Sequence, residues 1–201
     1  MSIMMLRERL TRLLTEEFKV HIPQFRPNSS DYQMVIFAYQ DLMTWMRIKW
    51  ETENPRILYL KLERFLRDES MDLRIFVSVW LNQWLEKWRE RVKILLKEPK
   101  YAKSRLERFK RAKRFYMSMK NRRELKEMVI RKLIDQGEVC MVESIADNLI
   151  IEEIARRLPP KDEREPRLNP IDIFNALSSR ISRLPRERGP LIHLRMGLYP
   201  I

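Results

Sequence analysis

The chain has 201 residues and a mass of 24.7 kDa, and its 44% hydrophobic content suffices for one sizeable domain with an appended arm, which excludes a disordered tail. Three glycines leave little material for tight β-turns, while Leu, Ile, Met, Glu, Lys and Arg dominate, so the predicted class is all-α, a helical bundle. The formal charge is +13, and all of the excess lies between Glu86 and Lys132, where 19 basic residues accompany 6 acidic ones; the remaining 22 bases and 22 acids cancel.

The first amphipathic segment runs from Ile3 to Val20, with Ile3, Leu6, Leu10, Leu13, Leu14 and Phe18 near one face at helical spacing. It is expected to form an extended amino-terminal arm over residues 1–30, closed by the linker HIPQFRPNSS. The start MSIMMLRERL acquires charge by Arg7 and lacks the apolar core of a signal peptide, and a lone cysteine, Cys140, cannot form an intrachain disulfide, so secretion is not expected. A helical body is expected over 31–158. Ser30-x-x-Gln33 signals the start of its first helix, which stops before Asn54-Pro55, and Pro55 suits the first turn of PRILYLKLERFLRD.

Ser70 can cap a further helix from Met71 to about Lys97. Its run IFVSVWLNQWL is too short to span a bilayer, so no transmembrane segment is expected. Trp80, Trp84 and Trp88 repeat on it at i+4 and form a ridge on which bases could stack. A bundle core or a subunit contact is the preferred reading, because helical apolar stripes are usually packed.

The basic helix is expected over 100–136, continuous or interrupted, with Gly137 as its stop. Between Lys103 and Arg123 it carries Lys103, Arg105, Arg108, Lys110, Arg111, Lys113, Arg114, Lys120, Arg122 and Arg123 against one acid, Glu107. Ala102, Leu106, Phe109, Ala112, Tyr116 and Met119 project as a narrow apolar seam, leaving a broad cationic face. Like charges so close repel, and a solvated surface helix usually interleaves acids with bases, as LRERLTRLLTEEF does. Phosphates could supply the missing negative charge, so these ten residues are the predicted nucleic-acid contacts; without an Asn-rich or Gln-rich face, contact with the backbone rather than with bases is expected.

A last body helix covers about Val142 to Leu158, with Ile145, Leu149, Ile150, Ile154 and Leu158 as its core stripe. ESIADNLIIEEIARRL lacks the glycine turn and following basic helix of a helix-turn-helix. Residues 159–201 read as a proline-rich linker, a short helix from Asn169-Pro170 to about Leu184, and an apolar tail. The tail either packs back on its own core or docks onto a neighbouring subunit, through Leu191, Ile192, Leu198 and Tyr199.

No enzyme, cofactor or metal is expected. His21 and His193 lie in a linker and a tail, and no glycine-rich phosphate loop or nucleophile elbow occurs. Glu16-Glu17, Glu152-Glu153 and the group Asp162, Glu163 and Glu165 suit helix surface or solvated linker better than Mg²⁺. A nuclease would need such a set, and substitution of Asp162 and Glu163 tests for one.

The glycine-poor helical chain, the arm-like MSIMMLRERLTRLLTEEFKVHIPQFRP and the basic EKWRERVKILLKEPKYAKSRLERFKRAKRFYMSMKNRR resemble the major capsid proteins of filamentous archaeal viruses. The resemblance implies a virion coat subunit, assembled in the host cytoplasm, that encloses double-stranded DNA in a helical filament, alone or with a related second subunit. An envelope is compatible with it but is not predicted from the residues. The high charge, with only seven Asn and five Gln, agrees with a hot source. The chain departs from that pattern in carrying its strongest charge mid-chain rather than on the amino-terminal arm, so the site residues rest on the charge pattern alone. The alternative is a basic helical small subunit of a CRISPR-type ribonucleoprotein complex, which would prefer RNA or displaced single strands.

Overall fold

Among the residues that the computed structural model describes there are eight helices: α1 (Ile3–His21), α2 (Tyr32–Lys49), α3 (Pro55–Asp68), α4 (Leu73–Lys97), α5 (Lys103–Ser118), α6 (Arg122–Asp135), α7 (Val142–Arg157) and α8 (Pro170–Ser182). It describes residues 3–97, 103–159, 164 and 167–183, with side chains outside 91–105, and among these no strand occurs. The protein is all-α.

Two of the helix starts follow directly from the sequence. Asn54 accepts a hydrogen bond from the Arg56 amide at 3.0 Å and Asn169 one from the Ile171 amide at 3.0 Å, each with proline in the first turn, where its missing N–H costs nothing. Gly137 ends α6 at φ 91°: its amide bonds to the Ile134 carbonyl and that of Glu138 to Leu133, the paired return bonds of a Schellman stop. Elsewhere the chain enters the left-handed region without glycine, at Glu51, Ser70 and Met141. Ser70 is therefore not the cap of α4. It lies in the turn after α3, and Asp72 accepts the Ile75 amide at 2.8 Å in its place. Nor does Ser30 cap α2, because that helix starts at Tyr32 behind Asp31, whose carboxylate turns back to the Arg26 amide.

The chain divides into two compact units, residues 3–93 and 94–183, where one domain was expected, and the division falls inside α4. In the first unit α1 is not an extended arm. Leu6, Leu10, Leu13, Leu14 and Phe18 are buried and α1 packs on α2 and α3, because a stripe this apolar is more stable against a core than in water. Phe18 stacks on Phe25 at 5.3 Å and meets the edge of Trp84 at 5.8 Å. A second aromatic cluster joins Trp45, Trp50, Phe65 and Phe76.

Trp80 and Trp84 are fully buried, which corrects their place among the subunit contacts. The buried Trp84 Nε1 donates to Asp41 on α2 at 2.7 Å, so the one polar atom of its ring is satisfied inside the unit. Trp88 is half-buried, stacked on Trp84 at 5.3 Å with the exposed Phe37 beyond it, and alone of the three reaches the surface. The tail candidates Leu191, Ile192, Leu198 and Tyr199 lie outside the described residues.

In the second unit α7 packs against α5, α6 and α8. It buries Val142, Ala146, Ile150, Ile151 and Ile154, so its core face is broader than the expected stripe, from which Ile145 and Leu149 are partly exposed. Glu153 is buried on the same helix, holding Arg157 at 2.9 Å, Arg180 of α8 at 3.4 Å and Arg156 at 3.7 Å. Removing a buried carboxylate that ties two helices destabilises a fold, here tempered by the partial exposure of the arginines. Glu153→Ala is expected to lower unfolding stability by roughly 2 kcal/mol, read as a shift of the urea midpoint. An unchanged midpoint would show that α8 is held by its apolar face alone.

Candidate nucleic-acid interface

Helix α5 forms although its charge opposes it, because its seam is buried: Ala112 and Tyr116 are covered, and Phe109 and Phe115 are half-buried at the flanks. Leu106, expected in the seam, is exposed at its edge. One hydroxyl fixes how the helix sits. Tyr116 Oη donates to Asp147 Oδ1 of α7 at 2.7 Å, and Lys126 of α6 meets the other carboxylate oxygen at 2.8 Å and Glu143 at 3.5 Å. The basic segment is interrupted at residues 119–121, and the turn lets Arg122 reach back. Its guanidinium lies 5.9 Å from the centre of the Tyr116 ring and donates to Met117 Sδ at 3.0 Å.

Burial first, then the hydrogen bond and negative charge of Asp147, hold the Tyr116 hydroxyl well above its ordinary range, against the smaller opposing effect of Arg122. A raised folded pKa means that the native state keeps a proton the unfolded chain releases. The stabilisation is therefore complete below about pH 10 and is lost as pH rises through the folded value. Urea midpoints between pH 8 and 11 should fall for the parent protein more steeply than for Tyr116→Phe; parallel curves would rule out this linkage.

The ten predicted contact residues divide into three groups. Arg108, Lys110, Lys113, Arg114 and Lys120 are exposed, and among the described residues none is held by an ion pair. Arg111 and Arg122 are half-buried and occupied: Arg111 donates to the Pro159 carbonyl at 3.1 Å, and Arg122 is held by Tyr116 and Met117. Both are tied into the unit by one contact or two, which leaves fewer of their five N–H donors for a phosphate and makes either a poor probe of binding alone. Arg123 is exposed but also partnered, and the side chains of Lys103 and Arg105 lie outside the described residues. No family model, curated protein or solved structure matches this chain.

The free cations are not spread evenly. Lys110, Lys113 and Arg114 line a shallow groove of about 630 Å³ together with Met117 and Ser118. Three acids of this unit are engaged with other cations: Asp147 and Glu143 hold Lys126, and Glu153 holds three arginines. Met117 was not anticipated. Its exposure at the end of the cationic face could have been read from its spacing, seven residues after Lys110 and four after Lys113.

Another groove, of about 720 Å³, runs between α1 and α2 in the first unit. Its rim mixes Arg7, Arg12 and Lys19 with Glu8 and Glu16, and Arg7 lies 6.0 Å from the centre of the Tyr39 ring, so it presents no single sign of charge. Among the described residues no group of three His, Cys, Asp or Glu could hold a metal ion, and no helix is long and apolar enough to cross a membrane. Asp162, Glu163 and Glu165 lie outside them.

Proposed function

We propose that this chain is a structural nucleic-acid-packaging protein, a coat subunit that binds double-stranded DNA without regard to sequence through α5 and polymerises into a helical filament. The observation that carries the reading is the sorting of charge in the second unit. Lys126, Arg156, Arg157 and Arg180 all meet carboxylates, while Lys110, Lys113 and Arg114 share one groove and meet none among the described residues. Leaving three like charges side by side opposes folding, and a polyanion that neutralises them offsets that cost on binding. From Arg108 to Ser118 the helix runs about 15 Å, a length over which duplex DNA carries roughly nine charges.

Self-association needs a surface other than the buried tryptophans. Exposed apolar side chains in the first unit, Met4 and Met5 on α1 and Leu60 on α3, are the places to look.

Negative-stain microscopy of the protein with and without linear duplex DNA, paired with titrations at two salt concentrations, tests the reading. DNA-dependent regular filaments with steeply salt-dependent binding support a coat subunit. Salt-sensitive binding without filaments, with preference for RNA or single strands, would replace it with a ribonucleoprotein subunit. No binding at low salt would remove both.

A further inference from the structure

The cationic face of α5 is not purely cationic. Leu106, Lys110, Lys113 and Met117 follow one another at i, i+4, i+7 and i+11, a spacing that keeps them along one line of a helix. Leu106 is 47% and Met117 58% exposed, so an apolar side chain stands at each end of the line and the charge lies between. Lone exposed apolar residues need no explanation. Here two lie in register with the free cations, and one has a partner of its own: Arg122, which lies over the Tyr116 ring, donates to Met117 Sδ at 3.0 Å. Methionine is ordinarily the most adaptable of apolar side chains, and this contact restrains it at the wall of the groove.

Resting on the proposed DNA-binding reading, we infer that α5 lies across one sugar-phosphate strand of the duplex, with Lys110, Lys113 and Arg114 on its phosphates and Leu106 and Met117 entering the grooves on either side. The axial rise supports this. Along the axis Leu106 and Met117 are about 16.5 Å apart, and they stand about 9.5 Å and about 7 Å from the centre of the three cations, so a strand crossing at that centre leaves one apolar side chain over each flanking groove. Apolar atoms are available there, on the sugars and thymine methyls, and Leu and Met are among the side chains that insert in the minor groove. A helix lying along a groove would instead place Leu106 and Met117 beside the same atoms as the lysines, and the placing of apolar ends around a charged centre would serve nothing.

Charge contacts weaken with salt through counterion release, whereas apolar contacts do not. The Leu106→Ser/Met117→Ser double variant is therefore expected to bind a 30-base-pair duplex about tenfold more weakly at every salt concentration, with an unchanged slope of log affinity against log salt. Both positions are exposed, and an unchanged thermal transition confirms that the variant folds. Parent-like affinity in a folded variant, or a loss that grows only at low salt, would overturn the crossing geometry while leaving the DNA reading intact. Absence of salt-dependent binding by the parent would instead end the reading itself. Weaker binding of the variant to anionic phospholipid vesicles, with duplex binding unchanged, would assign the apolar pair to a membrane surface and also overturn the proposal.

Discussion

Lys110→Gln, Lys113→Gln and Arg114→Gln combined should lower affinity for duplex DNA of any sequence by roughly 100- to 500-fold near 0.1 M salt, and should flatten the salt slope by between two and three. The magnitude follows from counterion release, about 0.9 of slope for each phosphate neutralised, extrapolated from a high-salt limit at which the variants converge. These three residues are the right set because they share one groove and are free of internal partners among the described residues. Arg111 and Arg122 do not belong to it: changing either would remove a contact to Pro159 or to Tyr116 and Met117 and so confuse folding with binding. A matched control removes the same charge from exposed positions in the first unit, as Arg9→Gln, Arg56→Gln and Arg67→Gln. If the control flattens the slope as much as the α5 triple, the binding is a diffuse response to net charge and no interface exists on α5.

Trp84→Ala is expected to cost the first unit about 3 to 5 kcal/mol from the cavity alone, with a further loss because Asp41 forfeits its indole donor. Domains of this size are stable by only about 5 to 15 kcal/mol, so the first unit of the variant should stand close to unfolding at room temperature. Trp84→Phe keeps most of the ring but not the donor and should cost about 1 to 3 kcal/mol. Trp88→Ala, on a half-buried ring, should cost less than either. Circular dichroism during urea unfolding reads all three without relying on tryptophan emission. A Trp84→Ala protein with the parent midpoint but impaired assembly would return Trp84 to a subunit surface.

What could be read in the sequence was local. Asn54-Pro55, Asn169-Pro170 and Gly137 act through backbone chemistry within a few residues, and the structure has each of them where its chemistry requires. The free charge on α5 was legible for the same reason, since an excess of one sign along a helix survives any packing that leaves that face outside. Arg111 and Arg122 show the limit. Their side chains are spoken for by Pro159, 48 positions away, and by a turn that brings Arg122 back over Tyr116, and periodicity contains neither fact. The i+4 ridge of Trp80, Trp84 and Trp88 was equally ambiguous, because a stripe shows that a face is apolar but not what covers it; Asp41, on another helix, marks Trp84 as interior. The amphipathic start looked like an arm for the same reason, since α2 and α3, which receive it, follow later in the chain.

The link from Tyr116 to Asp147 and Lys126 has a consequence for how α5 meets any partner. A helix held from behind by its own core-facing hydroxyl cannot roll about its axis, so the direction in which Lys110, Lys113 and Arg114 leave the backbone is settled when the second unit folds. The backbone entropy of arranging them is lost at folding rather than at encounter, and association should proceed without an ordering step. The amides at the centre of α5 should then exchange slowly with solvent in the free protein, and change little when a polyanion arrives.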